Sequence, residues 1–151
     1  MHALRKLPRV FVVDDEPIIA SSLAAILTLY GLNATSFTQP HDAVKAATSD
    51  GPDLLISDVI MPLLNGIELA IQLRAICPNC EVLLFSGQPA TVSLIETALA
   101  AGHDFEVLHK PVHPADLLKK IQTILGTVNQ PKPLSLRSIE GTPKALTFHR
   151  I

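Results

Sequence analysis

At 151 residues, with 48% hydrophobic and 17% charged side chains, the chain has the length and composition of one globular domain that holds a core without disulfide staples. A net charge of −2 offers no basic excess for a phosphate backbone, so direct nucleic-acid binding is not expected. Met1 to Arg9 carry charges and Pro8 rather than an apolar core, which argues against a secretory signal or a membrane span and makes a cytoplasmic location the expectation.

Residues 1–8 read as an N-terminal extension. Val10-Phe11-Val12-Val13 then stops at Asp14-Asp15-Glu16, the pattern of a buried parallel strand with polar chemistry at its C-terminal tip. Pro17 stands where a helix would begin, and Ile19, Leu23, Ile26, Leu27 and Tyr30 recur at helical spacing up to Gly31. Asn33 to Thr38 offers a short second strand, and Pro40 opens a weaker helix that ends near Asp50-Gly51-Pro52. Asp53 to Asp58 is a third strand, again ending at a carboxylate, and Met61-Pro62-Leu63-Leu64-Asn65-Gly66 reads as a loop. Ile67 to Ile76 returns to helical spacing. Strand four runs from Glu81 to Phe85 and is closed by Ser86-Gly87, and an alanine-rich helix from about Thr91 to Ala101 stops at Gly102. Phe105 to Lys110 is strand five, and Pro114 leads a last helix with Leu117, Leu118, Ile121, Ile124 and Leu125 on its inner side.

Strands that alternate with helices predict an α/β fold over residues 9–126: a five-stranded doubly wound parallel sheet with five helices on its two faces. From Thr127 to Ile151 the pattern breaks. Pro131, Pro133 and Pro143, with Lys132, Arg137, Lys144 and Arg150 against the single Glu140, read as a flexible, mildly basic tail that leaves the preceding residues acidic. Cys77-Pro78-Asn79-Cys80 has C-x-x-C spacing but closes a helix instead of opening one, so a turn is expected there and not a redox site.

Ligands of open α/β sheets bind at the carboxyl ends of the strands, which brings Asp14, Asp15, Asp58, Ser86 and Lys110 to one crevice. Carboxylates without a nearby cation repel one another, and a divalent ion, Mg²⁺ best of all, relieves this. Asp58 beside such an ion can attack a phosphoryl group, with Lys110 and the Ser86 hydroxyl stabilising the transferring oxygens. Each piece alone also has a plain structural reading. An acidic pair starts helices, Asp58 can cap the following loop, Ser86-Gly87 is a turn signal, and Lys110-Pro111 ends a strand. Four strand tips with mutually compatible groups favour the functional reading.

These residues, Asp14-Asp15, Asp58 with Met61-Pro62 and Gly66, Ser86-Gly87 and Lys110-Pro111, make the chain resemble the receiver domain of two-component response regulators, the CheY-like family, over about Arg9 to Leu125. The resemblance implies a flavodoxin-like sheet and transfer of a phosphoryl group to Asp58 from a histidine kinase or phosphotransfer protein in the presence of Mg²⁺. It implies that Asp15, Asp58 and the backbone carbonyl of Ile60 ligate the metal, with Asp14 acting through water. It further implies that Ser86 and Lys110 grip the phosphoryl and that the Lys110-Pro111 bond is cis. The downstream protein target would bind the face of helix four, strand five and helix five.

One departure stands out: the family's switch aromatic three residues before the lysine is Val107 here, which leaves two readings, that Phe105 substitutes for it or that the segment carries an extra residue before the strand. Two rival readings remain, a receiver-like adaptor that is never phosphorylated and an aspartate-nucleophile phosphohydrolase. The second lacks its general acid, because the position two after Asp58 is Ile60. The expectation is therefore a phospho-accepting signalling protein and not an enzyme. His109 and His113, separated by Pro111, are expected to be structural.

Overall fold

Prolines set three of the five helix starts, because a fixed φ suits the first helical turn and its missing N–H would have been unpaired there anyway. The computed structural model describes residues 7–126, so the tail 127–151 and most of the N-terminal extension lie outside the described residues. The elements are β1 (Arg9–Val13), α1 (Pro17–Leu29), β2 (Asn33–Phe37), α2 (Pro40–Ser49), β3 (Leu54–Asp58), α3 (Gly66–Ile76), β4 (Glu81–Ser86), α4 (Ala90–Ala100), β5 (Glu106–His109) and α5 (Pro114–Leu125). All pairings are parallel, in the order β2-β1-β3-β4-β5. The doubly wound sheet is thus the one the alternating pattern predicts.

Period-two alternation divides the strand residues between two cores. Val10, Val12, Leu54, Ile56, Leu83 and Phe85 face Leu23 and Leu27 of α1 and Leu117 and Ile121 of α5. Phe11, Val13, Leu55, Val82 and Leu84 face Ala43 and Ala47 of α2, Leu69 and Leu73 of α3, and Ala98 of α4. β1 and β3 are covered on both sides, which is why their sequences are unbroken apolar runs. β2 is an edge strand with Asn33, Thr35 and Ser36 exposed.

Asp53 falls just outside β3 because it brackets the start of β1: its carboxylate accepts from the Arg9 N–H at 2.8 Å, and its own N–H donates to the Arg9 carbonyl at 2.8 Å. Cys77 and Cys80 flank a turn closed by the Cys80 N–H on the Cys77 carbonyl. Both are free thiols, and burial pushes the Cys80 thiol up to about 12, where it stays protonated and inert. No helix among the described residues is long and apolar enough to cross a membrane.

Candidate functional site

The strand order reverses between β1 and β3, and the crevice at such a switch point opens beyond the carboxyl ends of the strands. Val13 is in register with Ser57, which sets Asp14 beside Asp58. One carboxylate oxygen from each of Asp14, Asp15 and Asp58 lies within 4.8 Å of the others. Asp14 is buried, 5% exposed, while Asp15 is exposed. The Asp14 N–H donates to the Phe37 carbonyl at 3.1 Å, and its Oδ1 accepts from the Glu16 N–H at 2.9 Å. That side-chain bond turns the chain out of β1 and into α1, so adjacent residues both reach the crevice.

Lys110 follows β5 and reaches across to Asp58, its Nζ 3.1 Å from Oδ2. The Lys110 N–H donates to the Ser86 carbonyl at 2.9 Å, and its stem lies over Gly87, where a Cβ would stand 3.0 Å from Lys110 Cδ. A residue without a side chain keeps that path open. The Lys110-Pro111 peptide bond is cis, as the resemblance implies.

The loop after Asp58 carries Ile60, whose carbonyl accepts no hydrogen bond among the described residues, and Leu63, 83% exposed with a positive φ of 72°. It ends where Asn65 caps α3, accepting from the Glu68 N–H at 2.8 Å. Gly66 packs directly against the end of β3: a Cβ there would fall 2.2 Å from the Asp58 carbonyl oxygen. Gly66→Ala is therefore expected to lower stability by about 1–3 kcal/mol, since backbone cannot yield as a side chain can. Urea denaturation measures this, and an unchanged midpoint would show that the contact is not tight.

Burial is the main cause that pushes the Asp14 carboxyl up to about 6, against the pull of the Glu16 N–H and with a further push from Asp58. Burial raises Asp58 as well, opposed by the Lys110 ammonium beside it. Three carboxylates thus share one ammonium, and their all-oxygen donor set fits a hard divalent cation such as Mg²⁺. An acid whose folded pKa lies above its ordinary 3.8 destabilises the fold while ionised. The penalty is complete above the folded value and vanishes as the pH falls toward the ordinary one. Asp14→Asn, with chelator present, should thus raise stability at neutral pH by on the order of 2 kcal/mol and add little near pH ~4. Thermal denaturation at the two pH values checks this, and an equal gain at both would assign the effect to packing instead.

Ser86 does not join the cluster directly. It is 4% exposed, and its hydroxyl is paired with Thr91 Oγ1, which donates to the Gln88 carbonyl at 2.7 Å. Alternation explains the placement: Asp58 falls in step with Leu54 and Ile56 on the α1/α5 side, Ser86 with Val82 and Leu84 on the α3/α4 side. Sequence reasoning missed Thr91. The available signal was its position seven residues before Ala98 on one buried stripe of α4.

Phe105 does not replace the missing aromatic. Glu106 pairs with Leu83 and His109 with Ser86, so Phe105 stands at the opposite end of β4, about 13 Å of strand away from the Ser86 level. It is a core residue, with the Arg74 guanidinium 5.1 Å from its ring centre and His103 stacked at 6.0 Å. Val107 pairs with Leu84. His109 and His113 are exposed and belong to no cluster of potential metal ligands among the described residues.

A family model described as the response regulator receiver domain matches residues 10–122. Among curated proteins, the response regulator MprA of Mycobacterium avium is 35% identical over 120 residues, 78% of this chain and 50% of that protein. The transcriptional regulatory protein PrrA of Mycobacterium tuberculosis is 31% identical over 118 residues, again 78% of this chain and 50% of its own. The chain thus spans about half the length of the curated relatives it matches. Among solved structures, a response regulator receiver domain protein from Clostridium thermocellum superposes with a TM-score of 0.71 at 25% identity, covering 80% of this chain and 95% of that one. The Vibrio cholerae chemotaxis protein CheY4 superposes with a TM-score of 0.69 at 25% identity, covering 79% of this chain and 99% of its own.

Proposed function

This chain belongs to the family of response regulator receiver domains, and on that premise we propose that it accepts a phosphoryl group on Asp58 from a phosphohistidine of a histidine kinase or phosphotransfer protein. The observation that carries the reading is the meeting of three carboxylates with an ammonium on one of them, at the crevice end of the sheet. An Asp58 oxygen attacks phosphorus as the bond from phosphorus to the donor imidazole nitrogen breaks, and the electron pair leaves with the imidazole. Lys110, already on Asp58, turns its ammonium to the transferring oxygens, and Ser86 donates to one of them. Asp15, Asp58 and the Ile60 carbonyl would hold Mg²⁺, with Asp14 acting through water, and the ion when bound would supply charge neutralisation at those oxygens.

The product is a signal and not a released compound, so the output is protein contact. The face of α4, β5 and α5 is the proposed surface: Val92 and Leu99 stand out from α4 at 48% and 55% exposure, seven residues apart on one side of the helix. Lys120 of α5 pairs with Glu106 of β5 at 3.2 Å, joining two of its elements. The names of the relatives point the pathway beyond that contact toward transcription. Intact-mass measurement after incubation with acetyl phosphate and Mg²⁺ tests the reading: one phosphoryl group per chain supports it, and none leaves the unphosphorylated adaptor.

A further inference from the structure

The phospho-acceptor reading assigns no part to Thr91. Ser86 and Thr91 are 4% and 0% exposed, and their hydroxyl oxygens are hydrogen-bonded to each other. Thr91 Oγ1 also lies 2.7 Å from the Gln88 carbonyl oxygen, which can only accept. A hydroxyl has one proton. Thr91 gives its proton to Gln88, so the proton in the Ser86 to Thr91 bond belongs to Ser86. That proton is directed at the second residue of α4 and not at Asp58. A phosphoryl oxygen is likewise an acceptor only, and it cannot engage Ser86 without taking the proton from Thr91.

We propose that Thr91 is a positioning residue that competes with a phosphoryl oxygen on Asp58 for the Ser86 proton, tying the state of Asp58 to the start of α4. The inference rests on the phospho-acceptor reading and adds to it a residue outside the crevice. With Asp58 unmodified, Thr91 holds the Ser86 hydroxyl. With Asp58 phosphorylated, Ser86 turns away and Thr91 Oγ1 loses a donor in a buried position while keeping its bond to Gln88. The loss opposes the turn, and it falls on the 88–91 segment that leads into α4. Such a link does not need an aromatic ring at position 107.

The test is binding of fluoroberyllate, a phosphoryl stand-in that is not transferred, with Mg²⁺, measured by calorimetry on the full chain. Valine matches threonine in shape and lacks the competing oxygen, so Thr91→Val should bind about 5-fold more tightly than wild type. In a Ser86→Ala background the same change should alter affinity less than about twofold, because the competition has no proton to act on. Thr91→Ser, which keeps the hydroxyl, should bind as wild type does. Unchanged or weaker binding by Thr91→Val, or an equal gain without Ser86, overturns the proposal. If Thr91→Val does not fold, Thr91→Ala carries the same expectation. Failure of the wild-type chain to bind fluoroberyllate at all would instead overturn the phospho-acceptor reading, and this inference with it.

Discussion

Acetyl phosphate and Mg²⁺ are expected to label the wild-type chain at Asp58, and Asp58→Asn is expected to lose that labelling by at least about 100-fold in rate, or ~2.7 kcal/mol of barrier. Asparagine keeps the size of the side chain and an oxygen for Lys110, whose Nζ is 3.1 Å from Asp58 Oδ2 in the native protein. It lacks the carboxylate that attacks phosphorus. The neighbouring acids are poor substitutes for different reasons: Asp14 is buried with an oxygen committed to the Glu16 N–H, and Asp15 has no ammonium on it among the described residues. Mass mapping of the modified peptide reads the site directly. Unchanged labelling of Asp58→Asn would move the acceptor to another side chain and refute the assignment.

Asp15→Ala is expected to weaken Mg²⁺ binding by at least about 10-fold, or ~1.4 kcal/mol, with the fold left intact. Asp15 is exposed, and replacing such a residue normally changes stability by no more than about 0.5 kcal/mol. Its contrast with Asp14 is informative. Removing the buried charge of Asp14 should move stability and metal affinity together, whereas removing that of Asp15 should move affinity alone. Calorimetric titration with MgCl₂ beside thermal denaturation separates the two, and an Asp15→Ala chain that binds Mg²⁺ as well as wild type would place the ion elsewhere.

The acidic cluster was legible because apolar strand runs that stop at a carboxylate are local patterns, and parallel topology sends every such stop to the same end of the sheet. Prolines 17, 40 and 114 announced their helices for an equally local reason. β2 has few apolar residues because, as an edge, it needs no second apolar face. Whether Phe105 stands in for the missing aromatic was open in the sequence because the answer lies in the register. The distance of Phe105 from Lys110 along the chain says nothing about which residue of β4 stands opposite, and the pairing of Glu106 with Leu83 puts it at the far end from Ser86.

Composition, period and punctuation along the chain were enough to determine the sheet, its helices and the carboxylates at its tips, since each depends on a handful of neighbouring residues. Only the tertiary structure decided that Gly66 must be small, that Asp14 is buried enough to hold its proton up to about 6, and that the Ser86 hydroxyl pairs with Thr91. Those outcomes depend on which side of a strand a residue faces and on what another part of the chain packs against it. Segments far apart in sequence fix both only once they have met.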